Sequence, residues 1–406
     1  MRFTRLFLFL CFHLFCLELY SLDLGVDVFV QSSELSLLHK KRVGLISNHT
    51  GVNKQLVPTL EVLQKKGVHV AALFCPEHGW SGSGYAFEKI GDSVVGNIKL
   101  YSLHGSTRRP TKEMLNEVDL IIYDIQDIGV RSYTYATTLF YVMEEAAKHQ
   151  IPVIVFDRPN PINGLIIDGG MLDNAWRSFI GYLNVPYCHG MTIGELALFF
   201  NEEYQVGCKL KVIPMKGWKR KMSFKDTGLS WIPTSPHIPE ADSPLFYAST
   251  GIIGELDLVN IGVGYTLPFK VIGAPWINGE EFATKLNQQK LPGVNFFPFH
   301  YRPFYGSLKG VDCHGVLIRV TDMTTYQPLS VQYLLMGVLK SLYPQEVKRC
   351  LDKTIESKKR LFCLANGNDA IFRMMVHEKY AAWKMIEFQK SEREKFKKVR
   401  EKYLLY

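Results

Sequence analysis

The sequence predicts an α/β fold, a Rossmann-like parallel sheet domain followed by a second, smaller α+β domain. Three observations carry that prediction. Apolar runs of strand length recur through the first half of the chain, each ending in a polar cluster. Segments of helical period lie between them. Beyond residue 215 the alternation gives way to a stretch rich in Gly, Pro, Trp and Tyr. Strongly apolar strands alternating with helices argue for a parallel sheet covered on both faces.

The chain has 406 residues, long for one core, so two domains are expected. Residues 1–21 carry a basic start, with Arg2 and Arg5, and then an apolar run from Leu6 to Leu17. That is the pattern of a secretory signal peptide, shorter than the roughly 20 apolar residues of a membrane span. Bulky Leu19 and Tyr20 precede the expected cleavage near Ser21, which leaves an uncleaved anchor as the alternative. The expected location is exported, in the periplasm. Residues 22–215 form the expected catalytic domain, with strands at 42–47, 68–74, 118–123 and 152–156. A helix at 57–66 stops before Gly67. One at 135–149 ends in Lys148 and His149, which suit the negative end of the helix dipole. One at 191–204 opens with Thr192 and Glu195 at capping-box spacing. Residues 216–406 form the expected auxiliary domain. It starts with long ordered loops over 216–275, then a helix at 279–289, a strand at 314–321 and helices at 330–343, 368–383 and 387–403.

The composition is that of an ordinary globular protein, 47% apolar and 21% charged, with a net charge of +8. Much of the excess lies in 384–402, where cations interleave with acids as on a solvated helix face. Neither a nucleic-acid partner nor, after signal cleavage, a membrane partner is expected. Six cysteines follow the leader: Cys75, Cys188, Cys208, Cys313, Cys350 and Cys363. None has metal-binding spacing. Mostly buried thiols are expected, with at most one bridge, Cys350 and Cys363 being closest in sequence. His49, His78, His189 and His237 also lack zinc spacing, so no metal is expected. No G-x-G-x-x-G follows the first strand and no Walker motif occurs, so no cofactor is expected. The absence of G-x-S-x-G disfavours a serine hydrolase.

Ligands of open parallel sheets bind beyond the carboxyl ends of the strands. Here those ends carry Asn48-His49-Thr50-Gly51, Pro76-Glu77-His78-Gly79, Asp124 through Arg131, and Asp157-Arg158-Pro159-Asn160-Pro161. Glu77 is the leading catalytic candidate. It follows a buried strand, and burial disfavours the charged form of a carboxyl, as a general acid requires. The alternative is a rim carboxylate paired with Arg131 or Arg158. Those two guanidiniums could hold a carboxylate bidentately or close a structural network with Asp124 and Asp157. Asn160 sits in a rigid turn, suited to reading a hydroxyl or acetamido group. His189 precedes the helix capped by Thr192 and is a pocket candidate, while Glu195 reads as a cap. Tyr133 offers an aromatic face beside the acids, as sugar sites do. Asn48 and His78 complete the binding set.

These segments resemble the NamZ-type exo-β-N-acetylmuramidase family. The matching stretches are Cys75-Pro-Glu-His-Gly79, Tyr123-Asp-Ile-Gln-Asp-Ile-Gly-Val-Arg131 with Tyr133-Thr-Tyr135, and Asp157-Arg-Pro-Asn-Pro161. His189-Gly-Met-Thr-Ile-Gly-Glu-Leu196, Gly273-Ala-Pro-Trp276 and Lys402-Tyr-Leu-Leu-Tyr406 continue it. The resemblance implies a Rossmann-like catalytic domain, a smaller C-terminal domain and a cleft between them. It also implies release of N-acetylmuramic acid from the non-reducing end of peptidoglycan fragments, with Glu77 on the family's glutamate. Peptidoglycan-derived oligosaccharides or muropeptides are then the expected partners. Asp127, Glu88 or the substrate's own acetamido group would supply the second function, and carboxyl separation would distinguish mechanisms. Positions that hold an Arg and two acids in the family read Ser81, Ser83 and Tyr85 here. A Glu-Gly-Thr-Asn motif reads Glu255-Leu-Asp-Leu258, and a Gly-Arg-Gly reads Gly262-Val-Gly264. The alternatives are a muropeptide-binding protein without turnover, and an amidase or esterase acting on cell-wall material.

Overall fold

The structure is a computed structural model that describes residues 22–406. The expected signal peptide, 1–21, lies outside the described residues. The chain runs through α1 (Gly25–Gln31), β1 (Val43–Ser47), α2 (Thr59–Lys65) and β2 (Val70–Cys75). A hairpin of β3 (Ser93–Val95) and β4 (Ile98–Ser102), the short α3 (Lys112–Leu115) and β5 (Leu120–Asp124) follow. Then come α4 (Thr134–Lys148), β6 (Val153–Phe156), α5 (Ile193–Glu203) and β7 (Leu210–Ile213). The strands form one seven-stranded sheet in the order β3-β4-β2-β1-β5-β6-β7. Every neighbouring pair is parallel except β3 with β4. The four strands read from sequence are the central neighbours β2, β1, β5 and β6, so their carboxyl ends stand side by side.

Side chains alternate across the strands with a period of two. Ile121, Tyr123, Val153 and Val155 join one apolar cluster with α4 and α5. Leu120, Ile122, Ile154 and Phe156 join another with Val26 and Phe29 of α1 and Val62 and Leu63 of α2. Both faces are therefore covered, which is why these strands read as unbroken apolar runs.

The second part holds α6 (Ser243–Gly254), β8 (Val271–Ala274), α7 (Gly279–Gln288), β9 (Val294–Tyr301), β10 (Cys313–Val320) and α8 (Pro328–Leu342). It ends in α9 (Pro344–Lys353), α10 (Glu356–Asn366), α11 (Ala370–His377), α12 (Ala381–Glu387) and α13 (Lys390–Arg400). Its sheet is antiparallel in the order β8-β10-β9. Helix α6 occupies a stretch expected to be loop, and α9 and α10 were not expected. The helix expected over 368–383 is two helices. Glu378 (φ −85°, ψ 130°) and Tyr380 (φ −123°, ψ 76°) leave helical geometry between α11 and α12. All six described cysteines are free thiols, so the one bridge allowed from sequence does not form. No described helix is long and apolar enough to cross a membrane.

The C-terminal segment returns to the first sheet. Tyr406 donates its hydroxyl to Asp157 at 2.7 Å and accepts from the Met215 N–H at 2.7 Å. Arg400 is buried and donates to the carbonyls of Gly164, His189 and Gly190.

Candidate active site

A cleft of about 320 Å³ opens between the strand-end rim and the second part of the chain. Glu77, His78, Ser132, Tyr133 and Thr134 line it from the first sheet. Tyr247, Glu255, Asn260, Ile261 and Phe269 line it from the other side, with Tyr85 and Phe87 at a loop edge.

Glu77 stands two residues past the end of β2, where the chain must turn sharply. His78 and Gly79 take successive left-handed conformations (φ 68° and 77°), and a non-glycine residue held there marks stored strain of the kind found at functional sites. The turn is pinned by the Gly79 N–H to Pro76 carbonyl bond at 3.1 Å and by His78 Nδ1, 2.8 Å from the Gly84 carbonyl. Gly82 has no alternative, since a Cβ there would lie 1.9 Å from the His49 ring.

Glu77 is 7% exposed. Thr134, in the first turn of α4, donates to Oε2 at 2.6 Å, and the Phe87 N–H donates to Oε1 at 3.0 Å. His104 Nε2 lies 3.7 Å from Oε1. Burial pushes the His104 imidazolium below its ordinary pKa, against the opposing pull of the Glu77 charge. A buried acid with a neutral imidazole behind it and open space before it can deliver a proton to a ligand in the cleft.

Glu255 follows α6 and is the cleft's other enclosed acid. Burial raises its pKa to about 7, with Lys358 lowering it and Asp257 raising it. Burial pushes the Tyr247 phenol up to about 12, and the charges of both Glu255 and Glu77 add to that. Its hydroxyl is 3.4 Å from Ser132 Oγ. His237 also lines the cleft, its pKa lowered by burial.

The remaining expected residues divide. Tyr133 lines the cleft and donates to Thr234 Oγ1 at 2.9 Å. Glu88 does not line it: it is exposed, and its carboxylate accepts from the Tyr85 N–H at 2.7 Å. Asp127 is buried beside the cleft rather than in its lining. Its Oδ2 accepts from the Gly129 N–H at 2.7 Å, its Oδ1 has no partner, and burial raises its pKa to about 7. Asn48 is buried too, its Oδ1 accepting from the Thr50 N–H and hydroxyl, its Nδ2 unpartnered.

Neither arginine is an open anion clamp. Arg158 grips Asp124 with two donors at 2.5 and 2.9 Å and also donates to the Val52 carbonyl. Arg131 donates to the carbonyls of Gly170, Val185, Ala365 and Asn366, tying the rim to α10. Buried guanidiniums need such partners, and the rim acids and carbonyls take them before any ligand can. Asn160 is consumed by its turn, bonding the Met191 carbonyl and the Ile162 N–H. Gly129 is required against it, because a Cβ would lie 2.1 Å from Asn160 Oδ1. His189 accepts from the Met191 N–H, and burial lowers its pKa to about 3, so it is neutral packing rather than pocket wall. Glu195 caps α5 with Thr192 and pairs with Arg220 at 2.6 Å.

Sequence reasoning missed His104, Thr134, Tyr247 and Glu255 as site residues. Glu255 left a signal as the glutamate retained in the altered Glu-Gly-Thr-Asn motif, and Thr134 stood in the matching stretch Tyr133-Thr-Tyr135. Among the described residues no group of three or more His, Cys, Asp or Glu side chains could hold a metal ion.

Comparison with known proteins agrees with this arrangement. Residues 43–242 match the family model "Exo-beta-N-acetylmuramidase NamZ, N-terminal", and residues 245–406 match its C-terminal counterpart. The chain is 38% identical over 386 residues to the peptidoglycan beta-N-acetylmuramidase NamZ of Bacillus subtilis (strain 168), covering 94% of this chain and 91% of that one. Crystal structures of two DUF1343 family proteins from Bacteroides fragilis NCTC 9343 share the fold. One is 39% identical with a TM-score of 0.89, the other 27% identical with a TM-score of 0.74. Each alignment covers 95% of this chain and 99% of the other. With both family models and a relative matched across nearly all of its length, the chain belongs to the NamZ family of exo-β-N-acetylmuramidases.

Proposed function

We infer that this protein is a glycoside hydrolase that releases N-acetylmuramic acid from the non-reducing end of peptidoglycan-derived fragments. The observation that carries the reading is Glu77, a buried carboxyl held by Thr134 and Phe87 in the lining of a cleft that also presents aromatic side chains. Membership of the family and the named activity of the B. subtilis relative support it. Glu77 protonates the glycosidic oxygen as the bond to the anomeric carbon breaks. Tyr133, Tyr247 and Phe269 supply the apolar faces that sugar rings stack on. The basic and apolar leader at 1–21 supports export to the periplasm, where wall fragments are met. Cell fractionation, with N-terminal sequencing of the mature protein, tests that location.

The activity is tested with a chromogenic β-muramic acid glycoside and with a peptidoglycan digest read by mass spectrometry. Release of free N-acetylmuramic acid by wild type is expected. On the peptidoglycan digest, whose sugar leaving group needs a proton, Glu77→Gln should lower turnover by about 10²- to 10⁴-fold, the range for loss of a general acid. Equal turnover of the digest by that variant would remove Glu77 from the role. Tight muropeptide binding without turnover would favour a binding protein, and amide or ester products would favour the hydrolase alternatives.

A further inference from the structure

The acids lining the cleft are Glu77, Glu255 and Asp257. Asp257 is exposed and ion-paired with Lys358. Glu255 is different. Its carboxyl has no hydrogen bond and no ion pair among the described residues, although the residue is half-buried in the cleft lining. Other, more deeply buried acids of this protein are tied down, apart from Asp127, whose unmatched Oδ1 lies outside the cleft lining. Asp124 holds Arg158 and Thr59, Asp157 holds Thr192 and Tyr406, and Glu195 holds Arg220. Leaving a carboxyl enclosed without a partner costs free energy, and in a cleft such a group marks a place where a ligand is meant to be. Glu255 and Glu77 line the same cleft, and Tyr247 is subject to the charge of both.

We propose that Glu255 is the second reacting carboxyl, the base that takes a proton from the water attacking the anomeric carbon. The proposal rests on the glycosidase reading above. Glu77 gives its proton to the glycosidic oxygen, which leaves with the electron pair of the broken C–O bond. Water forms the new C–O bond from the opposite face, and its surplus proton passes to Glu255. Both carboxyls then return to their starting states by exchange with solvent. Single displacement at a β-glycoside gives the α-anomer first. A carboxyl that titrates near neutral pH suits a base better than a nucleophile, because it holds the proton it takes and is a poor leaving group. Of the candidates named from sequence, the side chains of Glu88 and Asp127 are both absent from the cleft lining, and participation by the substrate's acetamido group would instead give the β-anomer first.

The experiment compares wild type, Glu77→Ala, Glu255→Ala and Glu255→Gln on an aryl β-muramic acid glycoside with an activated leaving group. Loss of the acid should be largely forgiven by that leaving group. Loss of the base should not, and Glu255→Ala should fall by about 10²- to 10⁴-fold. Azide should restore its turnover and yield the α-glycosyl azide, which also demonstrates a folded site. Proton NMR of the wild-type reaction should show the α-anomer forming first, and kcat/KM should rise with pH through about 7. Turnover by Glu255→Ala and Glu255→Gln within threefold of wild type would overturn this proposal alone. So would a β-azide product or a β-anomer formed first. No turnover by wild type on any muramic acid glycoside would overturn the glycosidase reading and this proposal with it.

Discussion

Thr134 donates its hydroxyl to Glu77 Oε2 at 2.6 Å and so fastens the first turn of α4 to the strand end that carries the acid. A hydrogen bond to a charged or proton-sharing group contributes about 1.5–3 kcal/mol. Thr134→Val keeps the shape and removes the donor. Its kcat should fall roughly 10- to 100-fold with KM little changed, measured by steady-state kinetics. An unchanged kcat would mean that the Phe87 N–H alone orients the carboxyl.

Arg158 and Asp124 form a fully buried pair, 4% and 0% exposed. Arg158→Met should cost about 3–5 kcal/mol in urea unfolding, because Asp124 is left charged and unmatched. Adding Asp124→Asn should recover part of that loss. If the double variant regains stability and still turns over substrate, Arg158 is a structural residue. If it regains stability but KM rises steeply, the arginine holds substrate after all.

Asp127 predicts a pH effect whose sign follows from its raised pKa of about 7, against an ordinary 3.8. Between about pH 4 and pH 7 the unfolded chain loses this proton more readily than the folded one. Stability from this group therefore falls as pH rises through that window and levels off above it. Asp127→Asn removes the effect. Its melting temperature relative to wild type should climb from pH 4.5 to pH 8 in scanning fluorimetry. A constant offset across that range would show that the buried carboxyl is not the cause. Asp157 and Glu255, also raised to about 7 by burial, contribute in the same direction.

Tyr406→Phe removes one hydroxyl that donates to Asp157 and accepts from Met215. A loss of about 1–3 kcal/mol is expected, since the Met215 N–H is left without its acceptor while Asp157 keeps only its bonds from Thr192, Gly194 and Arg158. Chemical denaturation measures it. Kinetics on the folded variant should be close to wild type, as the residue lies away from the cleft lining.

What the sequence disclosed follows from the packing. Strands β1, β2, β5 and β6 are buried on both faces and stand out as apolar runs, and the rim that holds Glu77 follows from their ends. Strands β4 and β7 carry the exposed Lys99 and Lys211, which break the apolar run and masked them. Helix α6 is apolar nearly all round and includes Gly251 and Gly254, so it lacks the contrast that marks a helix. That helix delivers Tyr247 and positions Glu255, which is why the second wall of the site was not legible. Arg131 and Arg158 show a further limit. A guanidinium that clamps a ligand and one that closes a buried pair have the same sequence signature, and only the partners tell them apart.

The bond from Tyr406 to Asp157 spans 249 residues, and the Arg131 and Arg400 bonds that accompany it span 235 and 210. Closing loops of that length is entropically expensive until the contacts form. The rim of the first sheet stays incomplete, with polar groups enclosed and unmatched, until the far segment docks. Folding should accordingly be slow and all-or-none. Two family models divide this chain in sequence, yet it should melt as one body, and its N-terminal half expressed alone should aggregate rather than form a smaller enzyme.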